Sequence, residues 1–343
     1  MNHWTRALFA FALPLIAIGS AFAAEEPVLN LYSARHYQTD EALYDNFTKA
    51  TGIKINRIEA GDEQLVERLK NEGAASPADV LLIVDAARLW QAEQLGLFQP
   101  VKSAVLEERI PAKYRDPAGD WYGFSYRARV IVYNKAMVER SDVATYAALA
   151  DPKNKGKVCT RSGSHPYNLS LIGSEIANLG PAKAEAWARG VVANMARAPK
   201  GGDTDQIKAV AAGECAIALS NTYYYARIMR STQPADREIV AKTAVVFPDQ
   251  AGNGTHVNIS GAGVLKNAPH KENAIKFLEY LASNDAQRYF ADGNNEWPVV
   301  PSVQVANPAL DAFGKFKIDP MPIATYGKNT AAAQRLADTV DWR

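Results

Sequence analysis

Ser76-Pro77-Ala78-Asp79-Val80-Leu81-Leu82-Ile83-Val84 passes from a turn-forming tetrapeptide into five consecutive apolar residues. An alternating strand keeps one face for water, whereas an unbroken apolar run needs cover on both faces, as a strand inside a parallel sheet does. Working outward, residues 28–31 form a second strand candidate, 40–50 an amphipathic helix and 52–58 an alternating strand. Helical spacing resumes over 64–72 and again over 86–95, where Gly96 supplies a stop. This β-α-β-α-β opening predicts an α/β lobe with helices flanking a mainly parallel sheet.

Residues 121–134 are too long and too rich in β-formers for one ordinary strand, and their middle is polar. They read as a crossover into a second lobe. That lobe continues through 157–159, helices over 169–178 and 182–196, and a strand over 216–219. From 244–247 through 256–259 the chain returns to the first lobe, helices follow over 274–282 and 286–290, and a proline-rich stretch, 297–301, leads toward the end. The expected division is 24–125 with 248–295 in one lobe and 126–247 with 296–343 in the other. Two α/β lobes joined by crossing strands predict a hinged, two-lobed solute-binding fold of the Venus-flytrap type, with ligands held at loops beyond strand ends.

The N-terminus carries Arg6, an apolar run over 7–18 and the small-residue pattern Ala21-Phe22-Ala23. This is the pattern of a secretory signal peptide, residues 1–23, with a run too short to cross a bilayer comfortably. One arginine precedes the run and no cysteine lies near the cleavage point, so neither a twin-arginine signal nor a lipid anchor is expected. The expected location is the periplasm. In that oxidising compartment Cys159 and Cys215, the only two cysteines, are expected to pair. With 38 basic and 37 acidic residues and no basic block, the chain offers no nucleic-acid surface.

Asn221-Thr222-Tyr223-Tyr224-Tyr225 carries the chemistry. Adjacent phenols are poor core material but good ligands for a hard cation, because a phenol with a pKa of about 10 becomes an anionic ligand at neutral pH only under a strong Lewis acid. Ferric iron is such an acid. Asn221 or Thr222 is a sound N-cap, which sets the first tyrosines on an opening helical turn, where the positive end potential favours phenolate. The alternative is that these tyrosines pack at a half-buried surface with their hydroxyls in water. Two further groups, Tyr32 to Tyr37 and Ser164-His165-Pro166-Tyr167-Asn168, add donors.

With these pieces in view, Tyr32-Ser33-Ala34-Arg35-His36-Tyr37, Ser76 to Val80, Tyr167-Asn168 and Asn221 to Tyr224, nearly the whole mature chain resembles the periplasmic ferric-iron-binding proteins of bacterial ABC uptake systems, the transferrin-like Fut and Fbp type. The resemblance implies a five-coordinate Fe³⁺ held by His36 and Tyr37 from one lobe and by Tyr167, Tyr223 and Tyr224 from the other. It also implies delivery of ferric iron, or a ferric chelate, to an inner-membrane ABC permease by a monomer that is not an enzyme. Tyr225 has no matching role and is expected to pack. Where anion-requiring members have a glutamate this chain has Asp85, so a synergistic anion is not expected to be required and Asp85 is not expected to be a ligand.

Four phenolates and an imidazole on Fe³⁺ leave a net charge near −1, which calls for a nearby cation. Arg197 is the first candidate, followed by Arg35 and Arg129. Release is expected on reduction or protonation. A binding protein for an organic or oxyanion solute is the alternative within the fold. Ser162 to His165 lacks the surroundings of a hydrolase nucleophile, and one histidine without a cysteine cluster is a poor zinc site.

Overall fold

The computed structural model describes residues 27–35 and 39–343, so the expected signal peptide and the expected ligands His36 and Tyr37 lie outside the described residues. Val80–Val84 forms β3 and is buried at every position. On one side lies β1 (Val28–Ser33), parallel to it and to β2 (Lys54–Glu59) beyond. Helices α1 (Asp40–Thr51), α2 (Asp62–Glu72) and α3 (Ala86–Gln94) follow these strands as the apolar spacing predicts. A short α4 (Ala104–Arg109) precedes β4 (Tyr122–Asn134).

Strand β4 is a single element of 13 residues that changes partners along its length. Up to Ala128 it runs antiparallel to β8 (Val257–Val264), which also borders β3. From Arg129 onward it pairs with β6 (Ile217–Asn221) and β7 (Thr243–Val246). Beyond β6 lies β5 (Val158–Cys159), parallel to it, while β9 (Trp297–Pro298) joins β4 at Ser125 and Tyr126. The sheet order β2-β1-β3-β8-β4-β6-β5 is therefore less parallel than the opening pattern predicts. The returning strand β8 enters between β3 and β4 and runs against both. At the change of partners, Arg129 N donates to His256 O, while Tyr146 Oη donates to Arg129 O and accepts from His256 N. Both crossing segments are thus tied to one phenol.

Around the second stretch of sheet stand α5 (Pro166–Leu179), α6 (Pro181–Ala193), α7 (Asp203–Ala212), α8 (Thr222–Arg230) and α9 (Pro234–Lys242). The first stretch is covered by α10 (Lys271–Leu281) and α11 (Asn284–Asn294), followed by α12 (Pro308–Phe313) and α13 (Ala324–Thr339). One core gathers Leu31, Phe47, Val80, Ile83, Phe277 and Phe290. Another gathers Ile131, Leu171, Ile172, Trp187, Leu219 and Trp342. Val299, Val300 and Ile323 belong to the first core, although their segment is assigned by sequence to the second lobe. The cause is β9: Trp297 stacks on Tyr126 at 5.6 Å and draws the next residues, Val299 and Val300 among them, onto the first stretch of β4. Helix α13 then bridges, with Tyr326 in the first core and Ala333 and Ala337 in the second.

Cys159 and Cys215 form the expected disulfide, Cα atoms 5.9 Å apart, at the β5–β6 edge. A small third core with Val132, Ala218, Tyr225 and Ile228 packs around it.

Candidate functional site

Two helix starts meet beside the disulfide. Helix α5 opens on Pro166, whose missing N–H costs nothing in a first turn, and His165 caps it by accepting from Tyr167 N at 3.2 Å. Helix α8 opens on Thr222 with Asn221 at the cap position, yet the Asn221 side chain does not cap. Its Oδ1 accepts instead from Arg129 Nη1 at 3.2 Å. Each start carries a tyrosine in its first turn, where unpaired N–H groups and the helix dipole favour negative charge. The hydroxyls of Tyr167 and Tyr223 are 3.0 Å apart. For metal–oxygen bonds of about 2.0–2.1 Å, as hard cations make, two neighbouring ligand oxygens stand roughly 2.9 Å apart. The ring of Tyr224 lies 4.2 Å from that of Tyr223.

Tyr225 points elsewhere. Its hydroxyl donates to Thr243 O at 3.1 Å in the core around the disulfide. Neighbouring side chains on a helix stand about 100° apart, so the third phenol of the run is carried off the face the first two share.

Tyr167 and Tyr224 line a cleft of about 550 Å³ together with Arg161, His165 and Arg227. Its opposite wall includes Ala34, Thr39, Asp62 and Val84. Ala34 and Thr39 flank positions 36–38, so the described residues on either side of His36 and Tyr37 both border this cleft. His165 packs edge-on against the Tyr167 ring at 4.5 Å, and its pKa is lowered to about 3, first by burial and then by Arg161, Arg129 and Arg88. It is a neutral cap that orients Tyr167.

Three guanidinium groups surround the Tyr167 ring, Arg161 at 5.1 Å, Arg127 at 5.8 Å and Arg129 at 6.0 Å. Arg129 and Arg161 share the buried carboxylate of Asp203, and Arg129 also donates to Asn168 Oδ1 at 2.7 Å. Arg127 is buried, and none of its three guanidinium nitrogens has a hydrogen-bond partner among the described residues. It is the cation with capacity to spare. Of the arginines expected from sequence, Arg129 stands over the Tyr167 ring. Arg197 pairs with Glu214 at 2.7 Å and lines a separate surface cavity with Lys200 and Lys208, because its segment runs along the outer side of α7. Arg35 is buried between Asp40 and Glu296, directly before positions 36–38 in the chain. A readable signal for Arg127 does exist: it stands two positions before Arg129, and alternate residues of a strand share a face.

Asp85 has no exposed surface and caps α3, accepting from Ala87 N at 2.9 Å and from Asn258 Nδ2 at 2.8 Å. Its φ of 100° is an uncommon conformation for a residue other than glycine. Burial pushes its carboxyl up to about 6, with Arg127 the main opposing influence. Its oxygens are committed within the fold. Among the described residues no cluster of three or more His, Cys, Asp or Glu offers a metal site.

Residues 42–315 match the model of a family described as bacterial extracellular solute-binding protein. The chain is similar to "Iron uptake protein A2" of Synechocystis, 52% identical over 323 residues that cover 94% of this chain and 92% of that one. Among solved structures it resembles the Trichodesmium protein IdiA (FutA) in complex with iron and citrate, with a TM-score of 0.89, 55% identity and coverage of 92% and 100%. The ferric binding protein from Campylobacter jejuni gives a TM-score of 0.87 at 40% identity, again covering 92% and 100%.

Proposed function

Because this chain belongs to the bacterial extracellular solute-binding proteins, we propose that it is the periplasmic ferric-iron carrier of an ABC uptake system, binding Fe³⁺ in the cleft between its lobes. The observation that carries this reading is the pair of phenol oxygens of Tyr167 and Tyr223, 3.0 Å apart at two helix starts, beside the buried guanidinium of Arg127, which has no hydrogen-bond partner among the described residues. Neutral phenols have no need of three surrounding arginines. Phenolates do, because each nearby cation stabilises the charged form.

In this proposal Tyr167, Tyr223 and Tyr224 take up ferric iron in an open form. His36 and Tyr37, between the cleft-lining Ala34 and Thr39, complete the coordination as the lobes close. The hinge lies where β4 leaves β8 for β6, between Ala128 and Arg129. The first lobe comprises 24–125 and 248–295 together with the segment to about residue 323 that packs on its core; the second comprises 126–247 and the rest of α13. The closed monomer hands its iron to the permease, and it transports rather than catalyses. The cleft of about 550 Å³ is larger than a bare ion requires and leaves room for a small chelator such as a polycarboxylate, with Arg161 and Arg227 at hand. No anion is required by the ligand set.

The test is spectroscopic. Stripped protein titrated with ferric citrate is expected to develop a visible tyrosinate-to-iron charge-transfer band that ascorbate bleaches, and absence of colour at saturation sinks the reading. The competing organic-solute reading is separated by Tyr223→Phe with Tyr224→Phe, which preserves stacking and abolishes coordination.

A further inference from the structure

Arg230, the last residue of α8, reaches from the second lobe to the end of α11 in the first. Its Nη1 donates to Asp292 O at 2.6 Å and to Asn295 Oδ1 at 2.8 Å. A cation is well placed there, because the closing carbonyls of a helix lack intrahelical partners and carry its negative end potential. Asn295 ends α11 in the left-handed conformation, at φ 57°, where glycine is the ordinary residue. Its side chain supplies what glycine lacks, an acceptor shared by Arg230 and by Asn307 Nδ2, the latter at 3.0 Å.

The flanks of positions 36–38 come to the same place. Thr39 Oγ1 donates to Asn294 Oδ1 at 2.6 Å, and Asn294 Nδ2 donates to Asp40 Oδ1 at 2.8 Å. On the other flank Arg35 Nη1 donates to Glu296 Oε2 at 3.2 Å. Residues 292–296 therefore hold both flanks of His36 and Tyr37, and also the end of the helix whose first turn carries Tyr223 and Tyr224. On α8 itself Tyr224, Arg227 and Arg230 recur at a spacing of three, as neighbours along one helix face do, and the first two line the cleft. The face that carries a proposed ligand ends in this tie.

We infer that Arg230 is a positioning residue for iron retention: by holding the end of α8 to residues 292–295, it fixes the register between the two halves of the ligand set. The inference rests on the ferric reading above. Register matters because metal–ligand distances tolerate shifts of only about 0.2 Å, while the two halves belong to different lobes. Without the tie each half keeps its own ligands, and what changes is how readily the halves part. The loss is therefore expected in the rate of release and not in the colour of the loaded site. A merely structural role for Arg230 predicts a lower melting temperature of the empty protein with release unchanged.

The test is release of iron from the loaded protein to excess EDTA, followed as decay of the charge-transfer band. Arg230→Ala is expected to release iron about fivefold faster, the scale of one charged hydrogen bond at a partly exposed site, with the band maximum unmoved. Arg230→Lys is expected to stay within about twofold of the parent, because one nitrogen serves both acceptors and an ammonium has three donors to offer them. Asn295→Gly keeps the left-handed turn and removes one acceptor, and is expected to speed release about twofold. Release at the parental rate from Arg230→Ala overturns the inference, whatever its melting temperature, as does a displaced band maximum or an Arg230→Lys protein that releases iron as fast as Arg230→Ala. Should Arg230→Ala fail to fold, Asn295→Gly decides, and release at the parental rate overturns the inference. If the parent protein shows no charge-transfer band with ferric citrate, the ferric reading itself falls and takes this inference with it. A band in the parent with unchanged release in the variants removes only the role of Arg230.

Discussion

The hydroxyls of Tyr167 and Tyr223 stand 3.0 Å apart across a separation of 56 residues, the same separation that Cys159 and Cys215 span. Strands β5 and β6 are parallel neighbours, each followed in the chain by one of these helix starts, and the disulfide joins the same two segments. Replacing both cysteines by serine is expected to lower the unfolding free energy by about 4 kcal/mol at most on the chain-entropy model, read from denaturant curves. Looser helix starts are expected to weaken ferric binding as well.

Tyrosine-to-phenylalanine changes should split the run at 223–225. Tyr223→Phe and Tyr224→Phe each remove a proposed ligand and are expected to bleach the visible band and weaken iron by orders of magnitude in a chelator competition. Tyr225→Phe removes a buried hydrogen bond to Thr243 and nothing from the cleft. It is expected to keep its colour and lose about 1 kcal/mol of stability.

The arginines should divide in the same way. Arg127→Gln removes the unpaired cation beside Tyr167 and is expected to weaken ferric binding about tenfold. Arg197→Gln removes the pair with Glu214 and the hydrogen bonds to Gln206 and Ala198 O at a surface cavity separate from the cleft, and is expected to leave affinity unchanged. Isothermal competition with citrate distinguishes the two.

Legibility followed how local each signal was. Val80–Val84 could be read because full burial writes itself as an unbroken apolar run. The excessive length of 121–134 gave away a crossing, and the structure has one 13-residue strand there that changes partners. Helix α13 was not legible: its buried face is Tyr326, Gly327, Ala333, Leu336 and Ala337, small residues for the most part, which carry little apolar periodicity. Arg127 was missed for a different reason. Whether an arginine is paired depends on partners brought from far along the chain, such as Asp203 for Arg129, and no spacing rule records who is left over.

Stability should depend on pH through Glu175, whose carboxyl is pushed up to about 8, first by burial and then by Asp249 and Asp319. The folded chain holds this proton over a range where the unfolded chain, titrating near the ordinary 4.5, has lost it. Unfolding free energy is therefore expected to fall as pH rises from about 4.5 to about 8. Glu175→Gln should flatten that fall, matching the parent near pH 5 and exceeding it at pH 8 by up to a few kcal/mol. Thermal melts across this window measure it.

The insertion of β8 between β3 and β4 also orders events in time. As the chain is made from its N-terminus, Tyr167, Tyr223, Tyr224 and both cysteines are complete before Val257 begins the strand that joins β3 to β4. Both cores wait longer still, the first for Ile323 and Tyr326 and the second for Ala333, Ala337 and Trp342, so neither wall of the cleft is finished until the last helix has been made.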